Sequence, residues 1–164
     1  MKAFDIPGRK IPPTNSPFQK FWHEIPDTIK SWKNMELTIP FFKTTNNPWL
    51  APDQIDYLEY RLLGGPSGDT IYLNHPNWPD MPKNNQEFSL IDGLQRITAV
   101  QRFMSNDIPV FGQYIKNFTR PLPLTATLTF IVTEIHDLET LLWYYTKINT
   151  KPRGNYATTN NLKR

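Results

Sequence analysis

Glu87-Phe88-Ser89-Leu90-Ile91-Asp92-Gly93-Leu94-Gln95-Arg96 is the stretch that decides the fold, because a strand pattern passes directly into a helical pattern there. Glu87 to Ile91 has the apolar composition of a strand. After Gly93 the apolar side chains recur at the three- and four-residue spacing of a buried helix face, at Ile97, Val100, Phe103 and Met104. The stretch therefore predicts a strand that ends at the N-terminus of a helix.

The junction between this strand and this helix is a candidate binding site. The first N–H groups of a helix have no partner within the helix, so a helix start attracts anions. Gly93 allows backbone or ligand to approach closely, and Arg96, one turn into the helix, adds a forked pair of donors for a phosphate. A structural alternative is a capping box, because Asp92 and Gln95 have the required three-residue spacing. The two interpretations do not exclude each other.

Strand and helix patterns alternate on both sides of this stretch. Further strands are predicted at Met35 to Phe42, Thr70 to Leu73, Ile108 to Phe111 and Thr127 to Val132. One further helix is predicted from Pro52 to Leu62, with Gly64 as its stop. The last helix begins at Asp137 and carries one apolar face, made of Leu138, Leu141, Leu142, Tyr145 and Ile148. The pattern predicts a compact α+β (mixed α/β) domain in which helices flank a small sheet.

Three segments of the chain differ in composition. Residues 1–34 are predicted to form an N-terminal arm with one short helix, whose aromatic side chains dock onto the core. Residues 35–150 are the predicted core domain, and residues 151–164 form a polar, basic tail. A chain of 164 residues is long enough for one domain with one sizeable core.

The composition excludes several kinds of chemistry. The chain has no cysteine, which excludes disulfides, thiolate metal sites and a cysteine nucleophile. No apolar run is long enough to span a membrane and Met1 to Lys10 has no signal-peptide core, so we expect a cytoplasmic protein without membrane contact. The net charge of +3 permits contact with nucleic acid without requiring it.

Leu90 to Val100 resembles the I-D-G-Q-Q-R-L-T-T-L signature of GmrSD-type restriction subunits, which belong to the ParB/sulfiredoxin-like superfamily. Three further matches occur in the order that this family has. Ile39 to Lys43 resembles its I-P-x-[YF]-Q-R segment, Trp49 and Gln54 resemble the W…Q that follows, and Tyr145 to Thr150 resembles its F-x-R-I-N-T segment. The resemblance spans residues 39–150.

The resemblance implies a ParB/sulfiredoxin-like fold that binds a nucleoside triphosphate, with slow Mg²⁺-dependent hydrolysis as the implied activity. It implies nucleotide contacts at Lys43, Gly93, Gln95, Arg96 and Asn149. The implied catalytic residues are Asp92, Gln95 and Arg96, with Asp92 as the metal ligand. Relatives with this signature act in DNA modification sensing and restriction. A role in DNA transactions or phage–host conflict is therefore expected, with DNA or a restriction or defence protein as partner.

The chain departs from the family pattern in ways that favour a second hypothesis. Leu94 replaces the first glutamine of the Q-Q pair, and Phe42-Lys43 replaces Gln-Arg, which keeps a charge but loses the planar fork. The nuclease domain often fused to such proteins is absent from the sequence and its three histidines form no H-N-H pattern, so we do not expect autonomous DNA cleavage. The alternative function is a non-enzymatic module that contacts DNA or regulates a restriction complex.

Overall fold

Strand β4 (Phe88–Asp92) leads directly into helix α3 (Leu94–Met104), as the change in apolar spacing predicts. The computed structural model describes residues 8, 17–34, 37–38, 48–78 and 88–149. Its other helices are α1 (Ile25–Asn34), α2 (Ala51–Leu62) and α4 (Leu138–Asn149). Its other strands are β1 (Phe18–Phe21), β2 (Leu37–Thr38), β3 (Thr70–Asn74) and β5 (Thr127–Thr133). Single 3₁₀ turns occupy Trp22–Glu24 and Ile115–Asn117.

The strands form one mixed sheet in the order β1-β5-β3-β4-β2. The β3–β5 and β2–β4 pairs are parallel, whereas the β1–β5 and β3–β4 pairs are antiparallel. Parallel neighbours require a long crossover, and the chain between β3 and β5 runs through β4 and α3. This small mixed sheet with its helices confirms the α+β fold that the sequence predicts.

The main core joins the sheet to helices α1, α2 and α3, and it is rich in aromatic side chains. Trp32 of α1 packs edge-on against Phe88 and Phe130, with ring centroids 5.3 and 5.1 Å away. Trp22 packs edge-on against Phe103 of α3 at 6.4 Å. Aromatic pairs in such geometry contribute about 0.5–1.5 kcal/mol beyond the burial of their surface. These contacts fix α1 on the sheet and join α3 to the 3₁₀ turn that contains Trp22.

Helix α4 packs on β4 over a second, smaller cluster that contains Ile91, Ile135 and Tyr144. Successive strand residues point to opposite faces of a sheet, so Ile91 lies on the face opposite to its neighbour Leu90, which is in the main core. The most buried side chain of α4 is Tyr144, which the predicted apolar face did not include. Leu138, which that face did include, is 51% exposed.

The N-terminal segment contributes more to the fold than the predicted arm with a short helix. Trp22, Ile25 and Ile29 are buried in the main core, so the segment docks there as expected. Phe18–Phe21, however, forms strand β1 and pairs antiparallel with β5. The Phe18 ring stacks on Phe130 with centroids 5.3 Å apart. A four-residue strand of this kind depends on a partner more than a hundred residues away, which local spacing does not reveal.

The strand predicted from Ile108 to Phe111 is wrong. Pro109 has no backbone N–H to donate to a neighbouring strand. Within this described segment, the only strand-like pairing is a single bridge between Val110 and Gln113. Both residues between them, Phe111 and Gly112, have positive φ angles of 51° and 71°. The segment therefore turns back at once instead of extending.

Several predicted features lie outside the described residues. The strand predicted from Met35 to Phe42 coincides with β2 at Leu37–Thr38 only. The other positions of this predicted strand lie outside the described residues. The same holds for Lys43 and for the tail at 151–164. In the described part of the chain, no helix is long and apolar enough to cross a membrane.

A buried hydrogen-bond network joins the ends of the parallel strands β3 and β5. The Oδ1 atom of Asn74 accepts bonds from the Thr133 hydroxyl and the Ile135 N–H, each at 2.9 Å. Its Nδ2 atom donates to the Ile135 carbonyl at 3.1 Å. Asn74 is 2% exposed, so water cannot easily replace these partners. The side chain thus holds the strand ends together where β5 leads towards α4.

Replacing Asn74 by alanine is expected to destabilise the protein by about 2–4 kcal/mol, because it leaves the buried N–H and carbonyl of Ile135 without their side-chain partner. The Thr133 hydroxyl keeps the Leu73 carbonyl as a partner. Urea denaturation measures the change. The control is Gln19→Ala, which removes an exposed bond to Thr129 at 3.3 Å and should cost less than about 0.5 kcal/mol. Equal losses in the two variants would contradict a stabilising role for the network.

Candidate functional site

Gly93 links β4 to α3 in a conformation that other residues rarely adopt. Its φ angle is +111°, in the left-handed region, where a side chain is strained. A Cβ atom at this position would also overlap Cδ1 of Ile71 on β3 and lie 3.3 Å from the Ile71 Cα. Glycine is therefore required both by the turn and by the closeness of α3 to β3.

The N-terminus of α3 carries no side-chain cap. Its N-cap residue is Gly93, and the first helical bond runs from the Ile97 N–H to the Gly93 carbonyl at 3.0 Å. The predicted capping box of Asp92 and Gln95 is wrong. Gln95 instead accepts a hydrogen bond from the Trp49 N–H at 3.1 Å, because the start of α2 lies beside the start of α3. The helix start keeps the positive end of its dipole uncompensated by a capping side chain.

Arg96 is held in place by two partners at this helix start. Its Nη2 atom donates to Oδ2 of Asp92 at 3.1 Å, and its Nη1 atom donates to the Thr70 carbonyl on β3. The side chains of Arg96 and Asp92 are 23% and 24% exposed. A guanidinium has five N–H groups, so two bonds leave donors for a further ligand. The site thus presents a fixed, partly exposed cation next to an uncapped helix end.

A β-bulge precedes the junction and changes which residues face each other. Tyr72 pairs with Asp92, but the next residue, Leu73, pairs with Leu90, so Ile91 is an extra residue in β4. Bulges are frequent beside binding and catalytic sites, where they redirect side chains. Here the bulge places Tyr72 directly opposite Asp92.

Two tyrosines near Asp92 were not predicted from the sequence. Burial is the main cause that raises the pKa of Tyr144, and the charges of Tyr72 and Asp92 raise it further. Tyr144 therefore remains a neutral phenol with an O–H donor at physiological pH. The spacing of the apolar residues of α4 did not indicate that Tyr144 would be the buried tyrosine, because both Tyr144 and Tyr145 fit the apolar face of an amphipathic helix.

The remaining predicted site residues are less closely connected. Asn149 is the last residue of α4, and its Nδ2 atom donates to the Tyr145 carbonyl at 2.8 Å. Within the described residues, no hydrogen bond links Asn149 to the Asp92–Arg96 pair. Lys43 lies outside the described residues. Asp92, Gly93, Gln95 and Arg96 thus meet at one junction because they are close in sequence.

The described residues offer little for a permanent metal centre. No group of three or more histidine and carboxylate side chains comes together in the part of the chain that the structure describes. Asp92 is the carboxylate at the junction, and its Oδ1 atom takes no part in the pair with Arg96. Mg²⁺ is commonly bound through one or two carboxylates together with substrate phosphates. The Oδ1 atom of Asp92 is thus a single candidate ligand for such an ion.

His75 has the surroundings of a core residue rather than a ligand. It is 2% exposed, and its Nδ1 atom accepts the Asn77 N–H at 3.1 Å. Burial lowers the pKa of His75, and the Glu134 carboxylate opposes this shift only in part. The neutral imidazole therefore stabilises the loop after β3 by accepting the Asn77 N–H. This agrees with the absence of a histidine motif in the sequence.

Comparisons with known proteins found no match, whether with models of protein families, with curated proteins or with solved structures. The likeness to GmrSD-type subunits and to the ParB/sulfiredoxin-like superfamily consequently stays a prediction that rests on the motif residues. The geometry at the start of α3 stands independently of it.

Gly93→Ala is expected to cost about 2–4 kcal/mol of stability, because it combines a strained φ angle with the overlap on Ile71. Gly64→Ala is the matched control. Gly64 also has a positive φ, of +92°, but a Cβ there would meet nothing within 4 Å, so about 1 kcal/mol is expected. Urea unfolding of the two variants measures the difference between their losses of stability. Equal losses would mean that Ile71 moves aside and that its overlap with the added Cβ costs nothing.

Proposed function

We propose that the N-terminus of α3 binds the phosphates of a nucleotide. The observation that carries this proposal is the uncapped helix start beside the fixed guanidinium of Arg96. Backbone N–H groups at a helix start and an arginine fork are both complementary to phosphate oxygens. Because Asp92 and Thr70 already hold Arg96, binding a phosphate orders fewer rotamers than it would for a free side chain.

Asp92 would repel a phosphate if its charge were not balanced. The bond from Arg96 balances it in part, and Oδ1 of Asp92 fits a ligand position for a magnesium ion carried by the nucleotide. When bound, Mg²⁺ would offset part of the negative charge of the phosphates. Asp92 is thus proposed as the metal ligand, and Arg96 as the residue that binds phosphate and stabilises negative charge during hydrolysis.

Gln95 is proposed to orient a phosphate or a water molecule. Its Oε1 atom already accepts the Trp49 N–H, which fixes the amide plane. The Nε2 atom of the same amide remains a donor for a ligand. In this proposal hydrolysis is slow, because the site contains a positioning amide rather than a strong general base.

The setting of this activity is proposed from the motif resemblance alone. GmrSD-type proteins act in restriction and DNA modification sensing, so we propose a role in DNA transactions or phage–host conflict within the cytoplasm. DNA or a restriction or defence protein would be the partner. Lys43 and Asn149 stay proposed nucleotide contacts on the same basis.

A non-enzymatic binding module is the second candidate, and one observation favours it. The Asp92–Arg96 pair and the bond to the Thr70 carbonyl join α3, β4 and β3, as a structural cross-link would. In this function the motif stabilises the scaffold, and the protein contacts DNA or a restriction complex through another surface. The two functions differ in whether the wild-type protein binds a nucleotide at all.

Arg96→Ala should weaken nucleotide binding by about 1.5–3 kcal/mol, roughly ten- to a hundredfold, because a charge-assisted contact to phosphate is lost. Calorimetric titration with ATP and GTP, with and without Mg²⁺, measures it. Asp92→Asn is expected to remove the Mg²⁺ dependence, since an amide binds the metal poorly. Lys30→Ala is the control for the loss of a positive charge, because Lys30 is an exposed residue of α1 and does not belong to the junction.

Circular dichroism verifies that each variant is folded. Unchanged nucleotide affinity in folded Arg96→Ala would exclude phosphate binding at this residue. If the wild-type protein binds neither nucleotide at millimolar concentration, the nucleotide function is wrong and the binding module remains.

A further inference from the structure

The turn at Phe111 and Gly112 places a bulky residue, Phe111, at a positive φ angle that bulky residues rarely adopt. Val110 and Gln113 exchange two backbone hydrogen bonds, at 2.9 and 3.0 Å, across a two-residue turn. Both central residues have positive φ, which is the geometry that asparagine and glycine normally provide. A carboxylate oxygen of Glu59 on α2 accepts the Phe111 N–H at 2.7 Å and holds the turn in place.

Burial does not explain why this position is a phenylalanine. The Phe111 side chain is 47% exposed, so much of its apolar surface meets water. A strained residue persists only where its surroundings impose it, and such residues cluster at binding sites. The exposed ring therefore points to a contact outside the described chain.

Phe111 lines an apolar groove of about 420 Å³, which we call the Phe111 groove. Its apolar walls come from Leu62 at the end of α2 and from Phe118 and Leu122 in the segment before β5. Leu124, two residues after Leu122, is 83% exposed. None of the lining residues belongs to the nucleotide site proposed at the start of α3, so the groove is a separate surface.

One basic side chain lines the groove, and the carboxylate of Glu59 is already bonded to the Phe111 N–H. Arg120 is the charged residue among the described residues that line it. The sequence from Ile108 to Thr133 contains no aspartate or glutamate, but it contains Lys116 and Arg120. An occupant with apolar side chains and a carboxylate is complementary to such a surface, because its charge would pair with Arg120.

We propose that the Phe111 groove binds an extended segment of a partner protein in which apolar side chains flank an acidic residue. The apolar side chains would occupy the space between Phe111, Leu62 and Leu122. The carboxylate would pair with the Arg120 guanidinium at the side of the groove. The prolines on either side of Leu122 make that wall stiff, so the groove exists before the segment arrives.

Selection of displayed random peptides on the immobilised full-length protein tests the proposal, with peptides of about twelve residues. The selected peptides are expected to combine apolar residues with aspartate or glutamate, and to bind with dissociation constants of about 1–100 µM. Arg120→Glu should weaken their binding about tenfold or more by charge reversal. Lys30→Glu, an equal charge change on α1 outside the groove, should alter it less than twofold.

Phe111→Asn separates binding from folding. Asparagine adopts positive φ readily, so the midpoint of thermal unfolding should stay unchanged or rise by about 2 °C. Loss of the ring should nevertheless weaken the selected peptides about tenfold. A lower midpoint would mean that Phe111 stabilises the fold and would overturn the argument from strain.

Three other results would also overturn the proposal. One is the absence of any enriched peptide, and the second is enrichment of peptides without an acidic residue. The third is self-association in sedimentation experiments that Phe111→Asn abolishes, because it would identify a second copy of the chain as the occupant.

Discussion

The contact of Gly93 with Ile71 is the constraint on which the candidate site depends. Without a side chain at Gly93, the first turn of α3 can lie directly against β3. This closeness brings Arg96 within hydrogen-bond reach of the Thr70 carbonyl, one residue before Ile71. A side chain at this position would have to displace the end of the Ile71 side chain and would lie tightly against the Ile71 Cα, which opposes this close approach of the helix to the strand.

The Asp92–Arg96 pair has more influence on geometry than on stability. An ion pair between partly exposed side chains four residues apart contributes only about 0.3–0.5 kcal/mol. Its larger effect is to fix the direction of a guanidinium that would otherwise sample many rotamers. Tyr72 lies opposite Asp92 at the bulge, and the buried phenol of Tyr144 lies near the same carboxylate. The junction is thus a polar, ordered corner at the end of an apolar strand.

The sheet supports two surfaces of different character. At the end of β4 the junction presents the guanidinium of Arg96 and the uncapped N-terminus of α3, which are complementary to a small anion. Beyond the end of α2, the Phe111 groove offers exposed apolar surface with a single basic side chain among its described residues. The main core lies between α1, α2, α3 and the sheet and holds both surfaces in a fixed relation.

The sequence by itself determined the elements whose signals are local. The helical spacing of α2 and α3, the alternation in β5 and the glycine between β4 and α3 depend on residues a few positions apart, and each is present as predicted. The tertiary structure alone decided strand β1, whose partner is β5. It also paired Gln95 with Trp49, 46 residues away, in place of a capping box. Hydrogen bonds and packing between distant segments depend on where the whole chain brings them, and no local pattern encodes that arrangement.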